Sequence, residues 1–166
     1  LRAERHGPFQ LEISGEDPLS LACEDVTLEG AATSLQIHLR VDPHDFARVF
    51  NAAQHATAPV LAACWNSQIL LSHRLWEETR VSLFKQAVDT RDDSQRQSQG
   101  LARVSLGSGW VHGSVIELFR EAVNEFPVLI PAVGNEDPDA CLRAGGTPLL
   151  EEIRLHQGTV WHWNRP

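Results

Sequence analysis

The chain has 166 residues, 42% of them hydrophobic and 22% charged, with a formal net charge of -8; this suits one globular domain with a buried core. That charge excludes a general nucleic-acid or anionic-membrane surface, since either partner is repelled at long range, so an anionic ligand must be held locally by arginines or a metal. No stretch approaches the roughly 20 apolar residues of a membrane span, and Cys23, Cys64 and Cys141 are odd in number and widely spaced, so a reducing cytoplasm is the expected location.

The first predicted element is a short strand or hairpin arm, Phe9-Gln10-Leu11-Glu12-Ile13, which alternates between turn signals at Gly7-Pro8 and Gly15 to Pro18. Thr33 to Val41 alternates more cleanly, with Leu35, Ile37, Leu39 and Val41 on one face and Ser34, Gln36, His38 and Arg40 on the other. A strand is expected there. A helix start follows, with Asp42 as N-cap, Pro43 at the first helical position, and Phe46, Val49, Phe50 and Ala53 at helical spacing. Pro59 interrupts it, and the apolar stretch from Val60 reads as a second, buried helix ending near Asn66-Ser67 with Cys64 packed inside.

An arginine-rich amphipathic segment around Leu75-Trp76 and Val81 to Phe84 precedes Thr90 to Gly100, which has no apolar residue and reads as a loop. Val115 to Phe126 carries a helical stripe of Val115, Leu118, Phe119, Ala122 and Val123. Ala132 to Gly146 is another loop, and Thr147 with Pro148 is a helix start. The last stretch alternates as a strand, with Val160 and His162 on one side and Trp161, Trp163 and Arg165 on the other.

Chemistry concentrates on the row Gln36, His38 and Arg40. On a strand these side chains share one side at about 7 Å intervals, and Gln, His and Arg in line suit a metal-nucleotide, with arginine on phosphate. The same pattern also fits the wet outer face of an antiparallel strand. The remaining histidines show no HxxxH or HExxH spacing, and SLGSGW lacks the lysine and helix context of a phosphate loop. His162, between two tryptophans, is a further candidate. Arg74, Arg80, Arg103 and Arg165 offer forks for carboxylates or phosphates, or sit in surface ion pairs.

The runs TSLQIHL and APVLAACWNS, followed by RLWEETRVSLFKQAVDTR, FPVLIP and GGTPLLEEIRLHQGTVWHWNRP, resemble glutamate-cysteine ligases of the bacterial and plant type. In that family a TxQ-containing strand precedes a helix ending in a PVLxAxxANSP-like motif. The resemblance covers most of the chain. It implies an α+β fold, a curved and mainly antiparallel sheet with helices packed on one face, glutamine-synthetase-like, with residues 1–166 a single domain forming an incomplete part of a larger catalytic domain.

The activity implied is ATP-dependent carboxylate-amine ligation of glutamate and cysteine, the chemistry of glutathione biosynthesis, with ATP and Mg2+. By the same resemblance Gln36, His38, Arg40 and Asn66 would contact nucleotide, and Arg80 and Arg165 would meet substrate or phosphate. Glu29 and His38 would be metal candidates. Gln36 departs from the HxH of a related branch, and Trp65 and Gln68 depart from the ANSP motif. The family's acidic metal ligands lie mainly in strands that these residues do not include. A noncatalytic binding or regulatory domain, or a ligase using another amine, remains open, as does a homodimer.

Overall fold

The computed structural model describes residues 7–98 and 100–166. Residues 1–6, among them His6, and Gln99 in the polar 90–100 stretch lie outside the described residues. Helices and small antiparallel sheets are mixed, which makes this an α+β chain. β1 (Phe9–Ile13) pairs antiparallel with β2 (Leu19–Cys23), Leu11 facing Leu21 and Ile13 facing Leu19. Phe9, Leu11 and Ile13 are buried while Gln10 and Glu12 are exposed, so the alternation in the sequence is the alternation in the sheet.

A second hairpin joins β3 (Ile69–Leu70) to β4 (His73–Arg74) through Leu71 and Ser72, both at positive φ. A two-residue turn with both φ values positive matches the twist of its flanking strands. Side chains bulkier than glycine are strained there. The hairpin is fastened to the first one by a bridge between Gly15 and Leu75 and by the Asp17 amide donating to the Arg74 carbonyl at 2.9 Å. Arg74 also grips the Asp17 carboxylate through Nε at 2.8 Å, and that hydrogen bond holds Asp17 below the usual carboxylate range.

α1 runs unbroken from Phe46–Ala63 with Pro59 inside it. Asp42 caps the 3-10 turn Pro43–Asp45 that leads in, its carboxylate accepting from the His44 amide at 2.9 Å. Two separate helices were expected on either side of Pro59, and the stretch after it was expected to be buried. Instead Val60 is half exposed and Cys64 is exposed, because only the first half of α1, through Phe46, Ala47 and Phe50, meets Val111 and Leu118.

α2 (Thr79–Ala87) packs on β1, and its Leu83 joins Leu11, Ile13, Leu19 and Leu75 in one buried cluster. The side chain of Gln86 reaches the free edge of β1. It donates to the Glu12 carbonyl at 3.0 Å and accepts from the Glu12 amide at 2.7 Å, which closes that edge to another strand.

The polar 90–100 stretch contains a turn of helix, α3 (Asp93–Gln97), started by a capping box between Asp92 and Gln95. α4 (Ile116–Glu125) buries Leu118 and Ala122 as its stripe predicts, although Val123 is exposed. The 132–146 stretch likewise holds a short helix, α5 (Pro138–Arg143), capped by Asp137. α6 (Glu151–Gln157) begins four residues beyond the expected Thr147 cap, after Leu150 takes positive φ and the Glu136 carboxylate accepts from the Leu149 amide at 2.6 Å.

Two predicted strands do not form. Residues 33–41 make no backbone hydrogen bond among the described residues, and Leu35, Ile37 and Leu39 are 87%, 76% and 66% exposed. An alternating segment becomes a strand only when a neighbour pairs with it, and no strand pairs with this one among the described residues. The terminal stretch is an intermediate case. The Trp161 and Trp163 amides donate to the Arg103 and Ser105 carbonyls at 2.8 and 2.9 Å, and Val160 and His162 are buried as the alternation requires.

Among the described residues three small apolar clusters are buried: the hairpin cluster, the α1–α4 contact, and Ala122 with Phe126 and Val160. The accessible surface is 11141 Å², against roughly 8,200 Å² for a compact chain of this mass.

Candidate functional site

Polar groups converge where the end of α1 meets the start of α2. Ser67 donates through its amide at 3.1 Å and its hydroxyl at 2.9 Å to the Glu77 carbonyl, and its Oγ accepts from the Arg80 amide at 3.4 Å. Arg80 Nε donates to Glu78 Oε2 at 3.0 Å, and its Nη2 donates to the Cys64 carbonyl at 3.2 Å. The Arg80 side chain is one quarter exposed and that of Glu78 is 11% exposed. Glu78 Oε1 is buried with no hydrogen-bond partner, so an acceptor stands free beside a guanidinium. A buried acceptor without a donor is costly.

Arg80 was expected to face substrate or phosphate; its fork is taken instead by Glu78 and a carbonyl. Asn66 is adjacent and exposed. Gln36, His38 and Arg40 are all exposed on the unpaired 33–41 segment, so the face they were expected to share does not exist without a neighbouring strand. Glu29 is exposed in the 3-10 turn Thr27–Ala31, and Arg165 is exposed near the last residue. Among the described residues no hydrogen bond or ion pair joins Gln36, His38 or Arg40 to Asn66 or Arg80, and no three His, Cys, Asp or Glu side chains are grouped to hold a metal ion.

A second polar cluster forms around His162. Glu121 on α4 accepts from the Ser108 amide at 3.0 Å and from the Ser108 hydroxyl, and its Oε1 lies 3.8 Å from His162 Nδ1. Phe126 meets the imidazole edge-on at 5.8 Å. Burial pushes the His162 pKa below the usual histidine value, the Glu121 carboxylate opposes that shift, and the Arg165 charge adds to it. His162 Nε2 has no hydrogen-bond partner.

Glu78 and Glu121 were not singled out by the sequence. Glu78 lies in Trp76-Glu77-Glu78-Thr79, where two adjacent acids look alike until one is buried by the helix turn. The i to i+4 pair Glu117 and Glu121 on α4 was the available signal for the other: both carboxylates point back to the amides of the glycine-rich 107–114 stretch, Glu117 accepting at 3.0 Å from the amides of His112 and Ser114. Comparison with protein-family models, curated proteins and solved structures finds no match for this chain.

Proposed function

We propose that this chain is part of an ATP-dependent carboxylate-amine ligase, glutamate-cysteine ligase-like, which forms a γ-glutamyl amide through an acyl phosphate. The observation that carries the reading is the junction at Arg80. Two stretches that bear the family resemblance, 58–67 and 74–91, meet there through Ser67, Cys64 and Arg80. Arg80 and the part-buried carboxylate of Glu78 pair there, and Asn66, the residue before Ser67, is exposed.

The chemistry divides into two steps. A γ-carboxylate oxygen of glutamate attacks the terminal phosphorus of ATP and ADP leaves; the amine nitrogen then attacks the acyl carbon, loses its proton and expels phosphate. Arg80 serves this by neutralising carboxylate or phosphate charge when it turns from Glu78 to the ligand. Glu78 Oε1 accepts from the substrate ammonium. In this reading residues 33–41 are one strand of a curved, glutamine-synthetase-like sheet, with Gln36, His38 and Arg40 toward nucleotide and Arg165 toward phosphate. Magnesium, when bound, would neutralise the phosphates. The amine is cysteine or another small amine.

A second reading, a noncatalytic binding domain derived from the same fold, is favoured by one observation: Glu78 already neutralises Arg80. Nucleotide binding separates the two roles of the 33–41 row. His38→Ala should weaken Mg-ATP binding by about tenfold, the loss of one good ligand contact, with an unchanged circular dichroism spectrum. Equal affinity in the two proteins would place His38 on a merely solvated face.

A further inference from the structure

Residues 33–41 present a feature that the ligase reading does not use. Three large aliphatic side chains at alternate positions, Leu35, Ile37 and Leu39, stand 87%, 76% and 66% exposed, and none of the nine residues makes a backbone hydrogen bond among the described residues. An alternating segment with free amides and carbonyls is a template for strand addition. The outer edge of β1 is not open to it at Glu12, where the Gln86 side-chain amide holds both backbone groups.

We propose that the occupant is the same segment of a second copy, paired antiparallel about a two-fold axis at Ile37. The pattern is its own complement. With Ile37 opposite Ile37, Leu35 faces Leu39, Gln36 faces His38, Ser34 faces Arg40 and Thr33 faces Val41. Apolar residues meet apolar on one face and polar meet polar on the other. The only arginine or lysine in the nine residues, Arg40, faces a serine, and the segment carries no carboxylate, so no like charges oppose across the pair. A slip of one residue would set every aliphatic side chain opposite a polar one. Centring on His38 would oppose two imidazoles and bring Pro43, which has no amide to donate, against Thr33. Centring on Arg40 would oppose two guanidiniums. The self-paired arrangement is isologous, as a two-fold contact must be.

Such pairing uses one edge of the segment and leaves the other free, so it stands whether or not the ligase reading does. A strip nine residues long lies at the small end of specific interfaces, under roughly 1,200 Å², and the net charge of -8 on each copy opposes approach. The dimer is therefore weak, concentration-dependent and strengthened by salt, which screens that repulsion.

The test is sedimentation equilibrium of the 166-residue chain over a wide concentration range, with cross-linking to fix the register. The wild-type chain should show a monomer-dimer equilibrium, and Ile37→Lys should weaken it at least tenfold, with an unchanged circular dichroism spectrum because the site is solvent-exposed. With Cys23, Cys64 and Cys141 replaced by serine, Ile37→Cys should oxidise to a disulfide-linked dimer. Leu35→Cys and Leu39→Cys should each resist linking alone and link when mixed. A chain that stays monomeric at every concentration overturns the proposal, as does a dimer indifferent to Ile37→Lys. Self-linking by Leu35→Cys in place of Ile37→Cys overturns the register.

Discussion

Replacing Gly15 with alanine should destabilise the protein by about 3 kcal/mol, seen as a fall of roughly 6–12 °C in Tm. A Cβ at this position would stand 2.4 Å from the Leu75 Cα and 2.7 Å from the Arg74 carbonyl oxygen. Both are backbone atoms, so no side chain can turn aside to make room. The strands must part, and the bridge from Gly15 to Leu75 goes with them. The neighbouring bond from the Asp17 amide to the Arg74 carbonyl shares that geometry and adds about 1 kcal/mol to the loss. Gly30→Ala is the control, since nothing lies within 4 Å of a Cβ there, and its effect should stay within about 0.5 kcal/mol. Equal stabilities for the two variants in thermal denaturation would mean that the hairpins are not clasped at Gly15.

Leu83→Ala should cost about 3 kcal/mol, within the range for a leucine removed from a packed interior. Leu83 is 1% exposed and is the α2 residue buried in the cluster with Leu11, Ile13, Leu19 and Leu75. Urea denaturation measures this as a lower midpoint at constant slope. A loss below about 1 kcal/mol would show that α2 is held to β1 mainly by the Gln86 side chain and not by this cluster.

The elements legible in the sequence are those whose signal is local. β1 follows from alternation between turn residues, the entry to α1 from the Asp42-Pro43 cap, and α4 from its stripe with Leu118 and Ala122 buried. Short helices inside polar stretches escaped because their cause is a single side-chain cap, Asp92 for α3 and Asp137 for α5, and caps carry no periodicity. The 33–41 strand was overestimated for the opposite reason. Alternation describes what a segment can bury, whereas pairing depends on a partner edge that lies elsewhere in the molecule.

Pro59 misled in a related way. A proline costs a helix one hydrogen bond, but the solvated face of α1 near its end tolerates that loss. At the candidate site, Arg80 and Asn66 could be named from the sequence, and the Arg80 amide meets Ser67, the residue after Asn66. What the sequence did not contain is the charge of Glu78 on Arg80, because burial distinguishes Glu78 from Glu77 and burial is a tertiary property. The same holds for His162, whose buried place beside Glu121 depends on α4 packing against the last residues of the chain.

The central claim, ligation of an amine to glutamate at the expense of ATP, is tested most directly by phosphate release. The protein should release phosphate from ATP with magnesium only when glutamate and cysteine, or another small amine, are both present, and Arg80→Ala should suppress that release. ATP hydrolysis that proceeds at the same rate without any amine, or no hydrolysis with every amine tried, would contradict it.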